Sequence, residues 1–334
     1  YKVYTPYYRR GCLSLPSPRR PISAPKNIQI SEKSKHSLIL EELYLKPIIK
    51  WDEKITNRWT VSEKAAQQRL DEFVLDELQD YRDGRNFPDK ANVSRLSPYL
   101  HFGQISPNTA WYRALDASAL IANEKSLDTF LSELGWREFS YYLLYHFPHL
   151  PHKNLQSKFD AFPWPKTQAS ILRLWKSGKT GYPLVDAGMR ELYSTGYMHN
   201  RVRMVVGSFL VKNLLIHWHE GESWFWDCLV DADLASNSAG WQWIAGCGAD
   251  AAPYFRIFNP ITQSEKFDKQ GNYIRRYVPE LANMPDKFIH APWLAPEHIL
   301  KEAGIEIDVN YPAPVVDIKM SRALALEAFA QTKT

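Results

Sequence analysis

The 334-residue sequence predicts an all-α fold with long connecting loops. Residues 63–81 and 126–145 both place apolar side chains three and four positions apart, which is the spacing of one face of an amphipathic helix. Strand-like alternation of apolar and polar residues is scarce, and no internal repeat is evident. Because 45% of the residues are hydrophobic and 13% are aromatic, the helices can enclose a large core.

The first 30 residues do not share this helical pattern. Residues 13–27 contain four prolines and an Arg-Arg step, which are typical of an extended surface linker. Further along, Pro183 suits the start of a helix that ends at Gly196. We also expect helices over residues 200–217 and 321–331.

Residues 229–260 form the most unusual stretch of the sequence. They read LVDADLASNSAGWQWIAGCGADAAPYFRIFNP. We expect Asp231 and Asp233 to end an apolar helical run, and Asn237 to lie in a short polar turn. The small residues 245–249 let the backbone approach a neighbouring group closely. From composition alone, a helix-to-loop junction with ordinary core tryptophans explains the stretch equally well.

Composition and charge limit the class of protein. The net charge of +4 arises from 41 basic and 37 acidic residues, so an anionic partner would have to bind a local basic patch. Three cysteines without a CxxC pair favour a reducing compartment, and we expect a cytoplasmic protein. The longest apolar run, residues 204–218, contains Lys212 and is too short to cross a membrane.

Standard nucleotide and metal motifs are not evident in the sequence. It contains neither GxxxxGKS/T nor a GxGxxG that follows a strand pattern. His146, His149 and His152 have the spacing HxxHxxH, but the prolines between them interrupt any helix that would align the rings. We therefore expect these histidines to lie in a solvated loop and to bind no metal.

Residues 229–260 resemble the flavin-binding signature of the photolyase/cryptochrome family. The letters that carry the resemblance are DLxxNxxxWQWxAGxGxDAxPYFRIFNP. The resemblance extends over nearly the whole chain, from Tyr1 to Pro312. It implies the helical FAD-binding domain of this family, and within the family the catalytic domain of a class I cyclobutane pyrimidine dimer (CPD) DNA photolyase.

The first letters of the chain, YKVYTPYYRR, resemble the end of the family's N-terminal antenna domain. The resemblance therefore implies that residues 1–30 are the end of that domain together with the interdomain linker. Residues 31–334 would then be the helical FAD-binding catalytic domain. The resemblance also implies an antenna pigment, of unknown identity, in a missing N-terminal domain.

The resemblance implies an FAD site built around the start of a helix. Residues 92–98 correspond to the segment that binds the FAD phosphates, with Ser97 and Pro98 as the N-cap and the first helical residue. A plain capped helix is the simpler interpretation of this motif alone. Val93 stands where the family has threonine, which predicts the loss of one hydroxyl contact. The implied FAD-binding residues are Tyr81, Ser94, Arg95, Leu96, Ser97, Arg137, Arg203, Asp231, Asp233 and Asn237.

Two of these positions have specific implied roles. Arg203 is expected to pair with Asp231, because a buried guanidinium without a carboxylate is costly. Asn237 would face N5 of the flavin, where plant cryptochromes carry an aspartate that protonates the flavin. An amide does not donate that proton at neutral pH, so Asn237 favours repair over photoreception.

The resemblance also implies a pocket for the DNA lesion next to FAD. Its residues would be Glu133, Trp136, Asn200, Met204 and Trp243. Glu133 would hydrogen-bond the damaged bases, and Trp136 would stack on them. The (6-4) photolyases carry histidine at the positions that match Asn200 and Met204, and their repair needs an imidazole as an acid. The amide and the thioether therefore favour CPD repair.

Three tryptophans, Trp241, Trp218 and Trp164, match the family's electron-transfer chain from the flavin to the surface. Without the family, core packing would be the default interpretation of each of them. The outermost position is open between Trp164 and Trp175, because aligning Trp164 requires a one-residue gap.

DNA contact is expected at a basic and aromatic rim. Residues that match DNA-phosphate contacts of the family are Arg85, Arg201, Gln263 and Lys266. Taken singly, each is better explained as a solvated surface residue. The damaged dinucleotide would have to flip out of the duplex to reach the flavin, with Trp136 and Trp243 replacing the lost stacking.

Together these features predict a monomeric enzyme that repairs CPDs in DNA by electron transfer from excited, reduced FAD. The alternative within the family is a cryptochrome-like blue-light photoreceptor that uses the same FAD pocket without repair. A third possibility, from another class, is a helical scaffold that only binds DNA. That scaffold would be colourless, so an absorption spectrum separates it from the other two.

Overall fold

The computed structural model describes residues 1–29, 37–118, 123–251 and 255–332. Within these residues no β-strand forms, and the single β-type pairing is an isolated bridge between Ile307 and Tyr311. The predicted all-α fold is confirmed. The α-helices, in chain order, are α1 Tyr4–Pro6, α2 Glu53–Thr56, α3 Glu63–Glu72, α4 Tyr81–Gly84, α5 Ser97–His101, α6 Pro107–Asp116, α7 Glu124–His146, α8 Ala169–Lys176, α9 Pro183–Thr195, α10 Asn200–Ser208, α11 Trp218–Cys228, α12 Leu234–Ala245, α13 Pro260–Phe267, α14 Asn272–Tyr277, α15 Asp286–Ile289, α16 Glu297–Ala303 and α17 Ile318–Gln331.

Shorter helical segments of other types extend or join these helices. The π-helical segments are Tyr7–Cys12, Phe73–Glu77 and Phe209–Asn213. The 3-10 turns are Leu40–Leu43, Leu78–Asp80, Ser157–Ala161, Pro279–Leu281 and Pro292–Leu294. The helix predicted over residues 63–81 is therefore a composite, in which α3 is followed by a π-helical segment and a 3-10 turn.

Several predicted helices have the expected ends. Pro183 lies in the first turn of α9, and Gly196 ends that helix with a φ of 66°, a left-handed conformation that glycine adopts without strain. α7 contains the whole predicted segment 126–145. α17 begins at Ile318, three residues before the predicted start, because the side chain of Asp317 caps it.

The helix predicted over residues 200–217 is shorter than expected. α10 and the π-helical segment after it end at Asn213. Leu215 then has a φ of 51°, and this left-handed conformation does not continue a helix. His217 is already the N-cap of α11 and accepts a hydrogen bond from the His219 backbone N–H.

Local expectations around the signature stretch also need correction. α11 ends at Cys228, before the acidic pair, so Asp231 and Asp233 do not end a helix. Asp233 instead begins α12, since its carboxylate accepts a hydrogen bond from the Ser236 backbone N–H at 2.8 Å. Asn237 consequently lies in the first turns of α12 and not in a polar turn. Residues 252–254 of the signature lie outside the described residues.

The expected cap of α5 is wrong as well. Leu96 occupies the N-cap position, and Ser97 is the first helical residue. The Ser97 hydroxyl donates a hydrogen bond of 2.6 Å to the carboxylate of Asp231, so it is committed to a long-range contact.

Three groups of buried apolar side chains form the core. The largest lies among the helices from α8 to α17, the second lies between α3, α4, α6 and the first half of α7, and the third joins residues 4–12 to the second half of α7. The long helix α7 thus contacts two of the three groups. α12 packs against α7, α10 and α11, and the functional site lies where these helices meet.

None of the helices in the described ranges combines the length and apolar character needed to cross a lipid bilayer.

Candidate functional site

Two adjoining cavities lie between α7, α10, α12 and the segment from α4 to α5. Their volumes are about 660 Å³ and about 270 Å³. They share a set of polar lining residues, which are Arg85, Glu133, Asn200, Arg203, Asp231, Asp233 and Ser236. Cavities of these sizes suit a large organic ligand that extends from one cavity into the other.

The smaller cavity brings together nine of the ten residues predicted to bind FAD. Those that line it are Tyr81, Ser94, Arg95, Leu96, Ser97, Arg137, Arg203, Asp231 and Asp233. Arg95 has a φ of 52°, so the loop before α5 turns sharply at this point. α5 has only five residues, and positive side chains and hydroxyls therefore matter more here than a helix dipole.

Arg203 and Asp231 form an ion pair on the wall between the two cavities. The Arg203 guanidinium donates to both carboxylate oxygens of Asp231, at 3.2 and 2.9 Å, and its Nε donates to the Met198 carbonyl at 2.7 Å. Burial alone would lower the pKa of Arg203, but the Asp231 carboxylate raises it overall. The predicted pairing is present, and the Arg203 guanidinium is charged near neutral pH.

Asp233 is the second carboxylate of the wall. It accepts hydrogen bonds from the Tyr141 hydroxyl at 2.6 Å and from the Ser236 backbone, and His101 lies 3.4 Å away. Burial raises the pKa of this carboxyl group, but the hydrogen bonds outweigh burial and lower it. Asp233 therefore stays ionised and offers a fixed acceptor at the edge of both cavities.

All five residues predicted for the lesion pocket line the larger cavity. They are Glu133, Trp136, Asn200, Met204 and Trp243. Glu133 forms an ion pair with Arg85, so two residues that the sequence assigned to separate tasks are in contact. No histidine lines this cavity among the residues that the structure describes.

Asn237 and Trp241 also line the larger cavity. The Asn237 amide N–H donates to the Glu222 carbonyl at 3.0 Å, which leaves its amide oxygen as an acceptor. The neighbouring Ser238 hydroxyl donates to the Glu222 carboxylate at 2.5 Å. Glu222 on α11 thus holds the start of α12 at this wall.

Trp241 is covered on its inner side by α11. A Cβ atom at Gly221 would lie 2.1 Å from the Trp241 ring, so the helix approaches this closely only because the residue is glycine. The ring of Phe225, one turn further along α11, lies 4.9 Å from the Trp241 ring. Trp218 begins the same helix, and its indole N–H donates to Asn154 at 3.1 Å.

The two candidates for the outermost tryptophan differ in their exposure to solvent. Trp164 is half-buried, and its ring centroid lies 4.9 Å from that of His217, which in turn lies 5.6 Å from Trp218. Burial, and then the charge of His219, lower the pKa of His217 to about 4, so this imidazole is neutral near pH 7. Trp175 is 0% exposed and packs against Trp241, so it has no access to solvent.

Two of the four residues predicted to contact DNA, Arg85 and Arg201, line the larger cavity. Arg201 lies 4.4 Å above the Phe267 ring, and burial together with the Arg85 charge lowers its pKa. The exposed Lys266 lies 5.1 Å from the same ring, on α13, which also carries Gln263. α13 therefore continues the basic edge of the cavity outward.

Sequence reasoning missed several polar residues of the site. The Tyr197 ring lies near two guanidinium groups, 5.3 Å from that of Arg95 and 5.4 Å from that of Arg203. The side-chain oxygen of Asn86 accepts a hydrogen bond from Arg201. Tyr197 and Asn86 belong to no standard sequence motif, and some of their partners are distant in sequence. Periodicity and spacing therefore do not predict these contacts.

Arg69 was missed for the same reason. It does not line either cavity, but it donates to the carbonyl oxygens of Ser94 and Val93, at 2.9 and 3.1 Å. It also forms an ion pair with Glu77. Arg69 therefore fixes the loop that lines the smaller cavity from its outer side.

The side chains present fit FAD. The smaller cavity is lined by four guanidinium groups and three serine side chains, which suit a pyrophosphate. The larger cavity offers an amide, a buried tryptophan and apolar side chains, which suit a planar aromatic ring system. Among the described residues, no three His, Cys, Asp or Glu side chains are grouped so as to hold a metal ion.

Comparisons with known proteins agree with this geometry. A family model described as the FAD binding domain of DNA photolyase matches residues 130–331. The deoxyribodipyrimidine photo-lyase of Agrobacterium fabrum is 48% identical, over 100% of this chain and 69% of that protein. Cryptochrome-1 of Arabidopsis thaliana is 38% identical, over 99% of this chain and 49% of that protein.

A solved structure shows the same fold. The crystal structure of a bacterial class III photolyase from Agrobacterium tumefaciens matches with a TM-score of 0.95 and 48% identity. The match covers 100% of this chain and 69% of that one. The chain therefore spans about two thirds of the length of the two Agrobacterium proteins and about half the length of Cryptochrome-1.

Proposed function

Because the chain belongs to the DNA photolyase family and carries the FAD-binding domain of that family, we propose that it binds FAD and uses light to repair cyclobutane pyrimidine dimers in DNA. The observation that carries this proposal is the lining of the larger cavity. Glu133, Trp136, Asn200, Met204 and Trp243 surround one space, which adjoins the cavity suited to the FAD phosphates.

FAD would occupy both cavities. Arg95 and Arg203 would neutralise the pyrophosphate, and the hydroxyl of Ser94 would donate to it. Asn237 would face the flavin as a hydrogen-bonding amide that does not act as an acid near neutral pH. When bound and reduced, FAD supplies the electron that splits the dimer after excitation by blue or near-ultraviolet light.

The remaining residues of the larger cavity would bind and orient the flipped-out dimer. Glu133 and Asn200 would hydrogen-bond the polar edges of the pyrimidines, while Trp136 and Trp243 would stack against them. Met204 would provide an adaptable apolar contact for the saturated ring. Arg85, Arg201, Gln263 and Lys266 would contact the flanking phosphates.

The absence of an imidazole from the described lining of the larger cavity supports CPDs as the substrate. Repair of a (6-4) photoproduct needs a proton donor beside the lesion, and neither Asn200 nor Met204 titrates near neutral pH. The sequence resembles class I CPD photolyases, whereas the similar solved structure is named a class III photolyase.

A photoreceptor is the second candidate function. It is favoured by the similarity to Cryptochrome-1. The half-buried Trp164 near Trp218 is compatible with both functions, since a tryptophan chain serves light-driven flavin reduction in either case. We also propose an antenna pigment, a monomeric state and a cytoplasmic location for this protein. The three free cysteines support a reducing compartment.

The test is an absorption spectrum followed by an illumination assay. The purified chain is expected to be yellow with an FAD spectrum, and after reduction it should restore thymines from CPDs under blue light but not in the dark. A colourless protein would contradict the FAD site. A flavin-containing protein that binds lesion DNA without light-dependent repair would favour the photoreceptor.

A further inference from the structure

The first residues of the chain stack on the back of the lesion-pocket wall. The rings of Tyr4 and Trp136 are nearly parallel, with centroids 3.8 Å apart and an interplanar angle of 11°. Tyr8 in turn stacks on Tyr4, at 5.4 Å and 12°. Phe139 touches Trp136 edge-on at 5.8 Å. Trp136 is therefore packed against an aromatic cluster.

Tyr4 is itself held firmly. Its hydroxyl donates to the Ser132 carbonyl on α7 at 2.6 Å and lies 2.9 Å from the Ser132 hydroxyl. Gly135 allows this approach, because a Cβ atom there would lie 2.7 Å from the Tyr4 hydroxyl and 2.5 Å from the Tyr8 ring. On the other side, the Lys2 carbonyl accepts a hydrogen bond from the Asp250 backbone N–H.

Tyr4 does not line either cavity, whereas Trp136 lines the larger one. The tyrosine therefore lies behind the wall and has no access to a ligand in the pocket. Tyr4 can therefore affect a bound ligand only by holding the indole of Trp136 in place. A ring held in one rotamer loses little conformational entropy when a base stacks on it, so the stack favours binding.

We infer that Tyr4 is a positioning residue that fixes Trp136 for stacking on the damaged pyrimidine. The inference rests on the proposed function, because it assumes that a pyrimidine dimer occupies the larger cavity. Tyr4 lies outside residues 130–331, which match the FAD-binding domain of the family. The lesion pocket thus depends on a side chain from the segment that precedes this domain.

The experiment compares Tyr4→Leu, Tyr4→Phe and the control Tyr7→Leu in the full chain with bound FAD. Tyr7 lies in the same segment and packs on Phe139 and Tyr142 of α7, but its ring does not stack on Trp136. Two dissociation constants are measured in the dark, for a single-stranded oligonucleotide with one CPD and for its undamaged counterpart. The repair rate at saturating CPD oligonucleotide is measured under light.

Tyr4→Leu should weaken binding of the CPD oligonucleotide about three- to tenfold, since an aromatic pair contributes on this order. The dissociation constant for the undamaged oligonucleotide and the saturating repair rate should each change by less than about twofold. The flavin spectrum should stay the same. Tyr4→Phe keeps the ring and should restore most of the preference for the lesion. Tyr7→Leu should retain the preference for the CPD oligonucleotide.

Equal lesion preference in Tyr4→Leu and Tyr7→Leu would overturn the inference, while repair by the wild-type chain would leave the proposed function intact. A wild-type chain that does not prefer the lesion would contradict the proposed function itself. If Tyr4→Leu does not fold, Tyr4→Met, which is unbranched and fills comparable space, takes its place in the same comparison.

Discussion

Arg203 on α10 donates two hydrogen bonds to Asp231, which lies 28 residues further along the chain. This pair stands where the two cavities meet, and Asp231 also accepts the Ser97 hydroxyl from α5. One carboxylate therefore joins three separate parts of the chain around the proposed FAD site. Its side chain is only 4% exposed, so its charge is little screened by water.

Asp231→Asn is expected to weaken FAD binding about tenfold or more. The substitution keeps the shape of the side chain but leaves the Arg203 guanidinium without its counter-charge, which costs about 1–3 kcal/mol. Fluorescence titration of the apoprotein with FAD measures the change. The control is Asp71→Asn, because Asp71 forms an exposed ion pair with Arg113 outside the site. Similar losses in both variants would contradict the assigned role of Asp231.

Arg69→Ala is expected to lower the affinity for FAD about tenfold but to leave the affinity for riboflavin nearly unchanged. Arg69 holds the Val93 and Ser94 carbonyl oxygens, and riboflavin lacks the phosphates that this loop would bind. Competitive titration with the two flavins measures both affinities. The matched control is Arg113→Ala. A parallel loss of both flavins would mean that Arg69 only stabilises the fold.

Trp218→Phe is expected to block light-driven reduction of oxidised FAD, because phenylalanine is much harder to oxidise than tryptophan. Trp218 is buried next to the half-exposed Trp164, with His217 between the rings. Trp226→Phe serves as the control, since Trp226 lies on the same helix but is 50% exposed. Photoreduction is followed by the flavin spectrum under blue light. A rate in Trp218→Phe equal to that of the control would place the electron path elsewhere.

The stability of the fold should rise between pH 7 and pH 9 because of Lys212. Burial lowers the pKa of this lysine to about 7 from its ordinary value of 10.5, and its ammonium group donates to the Arg256 carbonyl. Over this range the unfolded chain keeps a proton on Lys212 that the folded chain releases, so the free energy of unfolding increases, by at most about 1.4 kcal/mol per pH unit.

Urea denaturation at a series of pH values measures this dependence on Lys212. The window ends near pH 9, because burial raises the pKa of the Cys228 and Cys247 thiols and makes their ionisation on unfolding destabilising above that pH. Lys212→Met removes the titrating group, and its stability should be nearly flat over the same range. An equal rise in this variant would assign the effect to another residue.

The sequence predicted the helical class and several boundaries because these depend on local signals. Pro183 and Gly196 specify the ends of α9 through their own backbone preferences. Where a side chain has competing partners, local signals fail. Ser97 was expected to cap α5, but its hydroxyl bonds to Asp231, which lies 134 residues away. No local sequence pattern indicates this long-range hydrogen bond.

The composition of the site was predictable only through the resemblance to the family. That resemblance grouped Glu133, Asn200 and Met204, and the structure places all three around the larger cavity. It did not indicate that Arg85 pairs with Glu133, or that Tyr4 stacks on Trp136. Such contacts depend on how helices pack, which periodicity does not encode.

The most direct test of the proposed function is which of two lesions the protein repairs. Two oligonucleotides of identical sequence, one with a single CPD and one with a single (6-4) photoproduct, are illuminated with the reduced, FAD-bound protein, and the restored thymines are quantified. The account predicts light-dependent repair of the CPD and none of the (6-4) photoproduct, since Asn200 and Met204 provide no acid beside the lesion. Repair of the (6-4) photoproduct, or of neither lesion, would contradict it.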